Sequence, residues 1–176
     1  MKKQKGFVLL AVLLLIQIAA LLGISALDQV ILEQKLLSDT KIRRLLLNAA
    51  ENQLTRLTAA IKTVSETCRI PGLSVAELRS RPLSWWSLYS CAEETSFFKY
   101  YYVVENLGTD PCAQLRGEES GPAAYYRLTV LLMQKADPRQ KVMLQSTVVT
   151  ESANLERCDA RPHSVDWGPQ SWHELI

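Results

Sequence analysis

Two histidines, four cysteines and scattered carboxylates are the side chains of this sequence with the most to offer chemically. His163 and His173 stand close to Ser164, Asp166 and Ser171 near the C-terminus, a mixture that could supply a base, a nucleophile and an orienting acid. None of these serines sits in a Gly-x-Ser-x-Gly turn, and polar tails commonly collect such residues, so no catalytic residue is assigned. There is no glycine-rich phosphate loop, no His-Glu-x-x-His helix and no Asp-rich calcium loop, and neither a metal nor a cofactor is expected. Glu93-Glu94 and Glu118-Glu119 read as solvated loop surface. Tyr100-Tyr101-Tyr102 and Tyr125-Tyr126 could stack bases, yet neighbours in a strand face opposite ways, so sheet core on one side and amphipathic rings on the other is the better reading.

Cys68, Cys91, Cys112 and Cys158 include no Cys-x-x-Cys pair, which argues against a zinc knuckle or a thioredoxin-like redox site. An even count in an exported segment favours disulfides. Three pairings are open, with Cys68 to Cys91 and Cys112 to Cys158 preferred. Cys158 belongs to a turn-rich tail, 157–169, that would fray without a staple, and such a bond contributes about 2–4 kcal/mol.

The elements that must position these side chains are set by an uneven chain. At 176 residues, 48% of them apolar, it can hold one ordinary core but no multidomain enzyme. A net charge of +2 is too even for a generic polyanion binder or a disordered acidic tail. By segment the charge is +3 over residues 1–6, +1 over 7–66 and −2 over 67–176, so the basic character sits at the start, and nucleic acid is not an expected partner of the rest.

Residues 7–27 carry no charge, and as a helix they would cover roughly 30 Å, the thickness of a bilayer's hydrocarbon. Lysines before the run and acids after it predict a cytoplasmic N-terminus, with the remainder across the membrane. The run is long for a secretory signal, and Gly23-Ile24-Ser25-Ala26 is a poor cleavage site. A plain anchor would need no particular junction, whereas here Lys5-Gly6-Phe7 marks one. Beyond it, Ile42, Leu46, Ala50, Leu54, Leu57, Ile61 and Val64 recur at helical spacing, which predicts one helix to about residue 66, amphipathic over 28–66. Ser38-Asp39 could instead cap a second helix there.

Turn chemistry at Pro71-Gly72 ends the helical region near the start of the globular head, 67–176. Residues 75–79 predict a helical turn, and Trp85, Trp86 and Tyr89 a local core. Residues 97–107, 124–134 and 141–151 predict strands, the first ended by Gly108-Thr109-Asp110-Pro111 and the last two joined by a turn at Ala136-Asp137-Pro138-Arg139. The fold class is therefore α+β: a long N-terminal helix against an antiparallel sheet with one buried and one partly wet face.

The Lys-rich leader ending in Gly6, Phe7 as a new N-terminal residue and the uncharged run together resemble the type IV pilins. Leu32-Glu33-Gln34-Lys35-Leu36, Asn48-Ala49-Ala50-Glu51 and the ending Ser171-Trp172-His173-Glu174-Leu175 are similar to motifs of PilX-like minor pilins. The resemblance covers residues 1 to about 55 and is slighter beyond. It implies the pilin fold, removal of a leader peptide (1–6) between Gly6 and Phe7 by a prepilin peptidase, and N-methylation of Phe7. It also implies storage in a bacterial inner membrane with a periplasmic head, and later a place on the pilus at the cell surface.

The partners implied are other minor pilins and the major pilin through the N-terminal helix, an inner-membrane assembly platform and a large tip adhesin. Most pilins carry Glu at the fifth mature position, where this chain has Ala11. A subunit without that carboxylate avoids burying it unpaired, which suits the tip or a priming complex. The expected function is pilus assembly or priming, serving twitching motility and adhesion. A minor pseudopilin of a type II secretion system shares the architecture, and a pilus-displayed DNA-uptake or adhesive module is the reading from another class.

Overall fold

The computed structural model describes residues 5–116, 122–152 and 157–175, without the side chains of residues 5–8 and 24–28. The chain divides into two compact units, Met1–Ile42 and Arg43–Ile176. Helix α1 (Lys5–Ala59) belongs to both. No break occurs at Ser38-Asp39, since Thr40 directs its hydroxyl to the Leu36 carbonyl within the helix. It ends earlier than its periodicity predicts: two single 3-10 turns, Ile61–Thr63 and Glu66–Cys68, replace its last turns, the second opened by the Ser65 side chain accepting from the Thr67 amide. The apolar stripe still runs on through them, with Leu46, Ala50, Leu54, Leu57 and Ile61 all buried.

The second unit is built around one mixed sheet. Its strands among the described residues are β1 (Arg69–Ile70), β2 (Cys91–Glu94), β3 (Phe98–Leu115), β4 (Pro122–Gln134), β5 (Lys141–Glu151), β6 (His163–Val165) and β7 (Gly168–Glu174). Antiparallel pairing runs β3-β4-β5-β7, as expected for the centre. The purely antiparallel expectation fails at the edge: β1 and β6 join β3 in parallel and β2 joins it antiparallel, all along the side that β4 leaves open. Strands of two to four residues carry too little periodicity to be recognised in sequence.

Strand β3 also runs through the Gly-Thr-Asp-Pro segment that was expected to end it. The register shifts between Asn106 and Gly108 and again between Asp110 and Gln114 absorb the irregular residues. Gly108 takes φ +111°, and the Asn106 and Asp110 carboxamide and carboxylate oxygens accept from the Gly108 and Cys112 amides. These are bulges, with local side-chain bonds replacing the missing ladder bonds.

Both faces of the sheet are covered at its centre. Strand β7 and the bulged part of β3 stay largely exposed, so the partly wet character expected of one face is confined to the edges. On the first lie Tyr101, Val103, Leu131, Met133 and Met143, beneath Leu78 of α2 (Val75–Ser80) and Trp86 of α3 (Leu83–Tyr89). Tyr89, expected in this core, is 55% exposed. On the opposite face lie Val104, Leu128, Val130, Leu144 and Val148, all buried, on the side of α1. Bonds from Gln53 to Glu93 (3.1 Å) and from Lys62 to Glu151 (3.4 Å) tie α1 and the turn after it to that side.

A buried ion pair holds the covering segment to the first face. Glu105 is fully buried and meets Arg127 through two bonds of 2.6 Å, and it also accepts from the Leu73 amide at 2.7 Å. The same guanidinium donates to the Leu73 carbonyl, so four polar groups satisfy one another. That bonding raises the Arg127 pKa above its ordinary value.

Candidate functional site

The two expected disulfides are present, Cys68–Cys91 and Cys112–Cys158, with Cα atoms 5.1 and 4.8 Å apart. Their placement follows the short strands. The first joins the turn before β1 to the start of β2, and the second anchors the chain leading into β6, so both secure the edge of β3. Without them these short pairings would rest on few hydrogen bonds.

The polar residues singled out in sequence do not converge. His163 on β6 stands 3.6 Å from Asp110, whereas His173 on β7 lies opposite Gln145 at the other end of the sheet. Asp166 faces Arg116 at 3.4 Å. Among the described residues no three His, Cys, Asp or Glu side chains gather in metal-binding geometry. Glu93 and Glu94 are strand residues of β2 rather than loop surface. Glu94 binds Lys135 (2.8 Å) and Lys99 (3.1 Å), and these bonds, the Lys135 one foremost, hold its carboxyl below the ordinary range. Glu118 and Glu119 lie outside the described residues.

The tyrosines divide as strand alternation requires. Tyr101 points to the α2/α3 side with Lys99 over its ring at 5.2 Å, and Tyr100 is buried too. Tyr102 is half-buried, and burial followed by the nearby Glu93 raises its pKa. Tyr126 stacks beneath Arg69 at 5.6 Å. These tyrosines form no continuous stacking platform among the described residues.

Two surfaces stand out among the described residues. The first is the helix of the Met1–Ile42 unit. Leu9, Leu10, Val12, Leu13, Leu14 and Leu15 are 45–66% exposed at nearly consecutive positions, so the helix is apolar around its circumference rather than along a stripe. Covering what these six leave open is worth on the order of 5–10 kcal/mol, as much as the whole stability of many domains. Ala11 is exposed on the same surface. Gly6 and Phe7 are helical in backbone, their side chains outside the described set, and residues 1–4 of the expected leader lie outside the described residues altogether. Among the described residues no helix is long and apolar enough to cross a membrane.

The second surface is a groove of about 490 Å³ between α1 and β7. Leu54, Thr55 and Thr58 line one wall, Trp167, Pro169 and Trp172 the other, and Ser146 of β5 lines it as well. Both tryptophans are 57% exposed. Strand β7 is the outer strand here, and Pro169 together with a register shift at Thr147/Val148 interrupts its ladder, as edge strands commonly are interrupted. Sequence reading missed this groove because no strand was expected over 168–174, of which only Gly168 and Pro169 lie in the turn-rich tail 157–169.

No protein-family model, no curated protein and no solved structure matches the chain.

Proposed function

We propose that the chain is a pilin-like assembly subunit: a minor pilin that takes part in assembling or priming a type IV pilus, near its tip. The observation that carries this reading is the circumferentially apolar helix surface from Leu9 onward, on a helix whose later turns are buried in a disulfide-stapled α/β unit. Such a surface is stable in two settings, a bilayer or a bundle of like helices. A subunit that moves from the first to the second needs a soluble head folded beforehand. The Arg43–Ile176 unit, with its own core and staples, has the features of such a head.

The junction Lys5-Gly6-Phe7 supports the same reading through the chemistry of leader removal, which would leave Phe7 at the N-terminus. Ala11 supports a tip or priming position, since no carboxylate needs a partner amine there. On this reading the protein is held in the inner membrane with its N-terminus cytoplasmic, and its partners are other pilins, a prepilin peptidase and the assembly platform. Deletion tests it. Loss of surface pili and twitching is the expected result. Normal piliation with lost exoprotein secretion would replace the reading with a pseudopilin, and normal piliation with lost DNA uptake would replace it with a displayed binding module.

A further inference from the structure

The groove between α1 and β7 contains an unpaid polar group. Ser146 is 4% exposed, and its Oγ is buried with no hydrogen-bond partner among the described residues. A buried hydroxyl left unmade costs about 1–3 kcal/mol, and such a group in a folded protein calls for an explanation. Ser146 is one of the residues lining an open groove, in register opposite Trp172. Trp167 and Trp172 add two largely exposed indoles, the costliest side chains to leave in water.

These features select a ligand chemistry. The volume of about 490 Å³ lies in the range of small-ligand sites. The indole faces and Leu54 call for apolar ring faces. The buried Ser146 hydroxyl calls for a hydrogen-bonding group that reaches it, and Thr55 and Glu51, which also line the groove, offer further polar contacts. Glu51 also disfavours an anion. We propose that the groove binds a neutral hydroxylated ring, the chemistry of a sugar residue, with the ring stacked on Trp172 and one hydroxyl bonded to Ser146 Oγ. The proposal does not depend on the assembly reading, because every residue of the groove lies in the Arg43–Ile176 unit.

The test uses the full chain in nanodiscs, so that no glycoside detergent competes. Saturation-transfer NMR would be recorded with the methyl glycosides of glucose, galactose, mannose, fucose, N-acetylglucosamine and N-acetylgalactosamine, with phenol as the aromatic control. Saturable binding of at least one glycoside is expected, weakened about tenfold or more by Trp172→Ala and several-fold by Ser146→Ala. Ser146→Ala is nearly isosteric and removes the unpaired hydroxyl, so it should melt no lower than the parent without ligand while binding more weakly. No saturable glycoside, binding of phenol alone, or glycoside binding unchanged in both variants would each overturn the proposal.

Discussion

Removing the Arg127 side chain isolates the most consequential polar contact of the fold. In Arg127→Ala, Glu105 keeps only the Leu73 amide as a donor while remaining fully buried, and the Leu73 carbonyl loses its donor as well. Breaking a buried, hydrogen-bonded ion pair from one side costs about 3–5 kcal/mol, chiefly through the charge left behind. The Arg127 side chain is 21% exposed, so some water can follow into the gap, which puts the expected loss near the lower bound, about 3 kcal/mol. For a domain of this size that lowers Tm by about 10 °C. Near-UV circular dichroism of the oxidised full chain in detergent would read the melt, and hydrogen exchange at the Leu73 amide should accelerate before the sheet amides do. Replacing both partners, Glu105→Leu with Arg127→Met, should recover much of the loss, since the buried charge is gone. A fall of less than about 3 °C for Arg127→Ala, or a double variant less stable than the single one, would refute this reasoning.

Three further outcomes follow from the same contacts. Replacing Cys112 and Cys158 by Ser opens a loop spanning a sequence separation of 46 and should cost about 3–4 kcal/mol, with exchange protection lost first in β6; an unchanged melt would contradict the staple's role. The Glu94 carboxyl is held below its ordinary value of 4.5, so its contribution is present above that pH and is lost as pH falls through the lower folded value. Lys135→Met should move its titration, followed by carboxyl NMR, back up toward 4.5, and no movement would deny Lys135 the leading part. Gly108→Ala meets no steric neighbour within 4 Å yet forces a side chain to φ +111°, so a loss of about 1–2 kcal/mol in denaturant unfolding is expected, and a neutral result would show that the bulge relaxes.

The parts of the fold legible in the sequence were those with long periodicity. The stripe from Leu46 to Ile61 is buried as its spacing predicts, β5 spans residues 141–151 as read, and α2 falls on the expected turn with Ser74 and Glu77 forming a capping box. Strands β1, β2 and β6 were not legible, because two to four residues show no period and their pairing is fixed by disulfides and by the length of β3. The extension of β3 was hidden by residues that ordinarily end strands and here form bulges. The second covered face was hidden as well: alternation along β5 gives equal weight to Met143 and Leu144, and only the Leu78 and Trp86 layer decides that both are buried. Of the candidate sites, the helix surface could be read directly from an uncharged run. The groove could not, since Ser146 and Trp172 meet only through strand register.

The assembly reading rests on what becomes of the N-terminus, and intact-mass spectrometry of the protein extracted from the membrane fraction tests it most directly. The account predicts a chain beginning at Phe7, lighter by residues 1–6 and carrying one added methyl group, with all four cysteines in disulfides. A functional protein that still begins at Met1 would contradict it and leave a plain anchored domain.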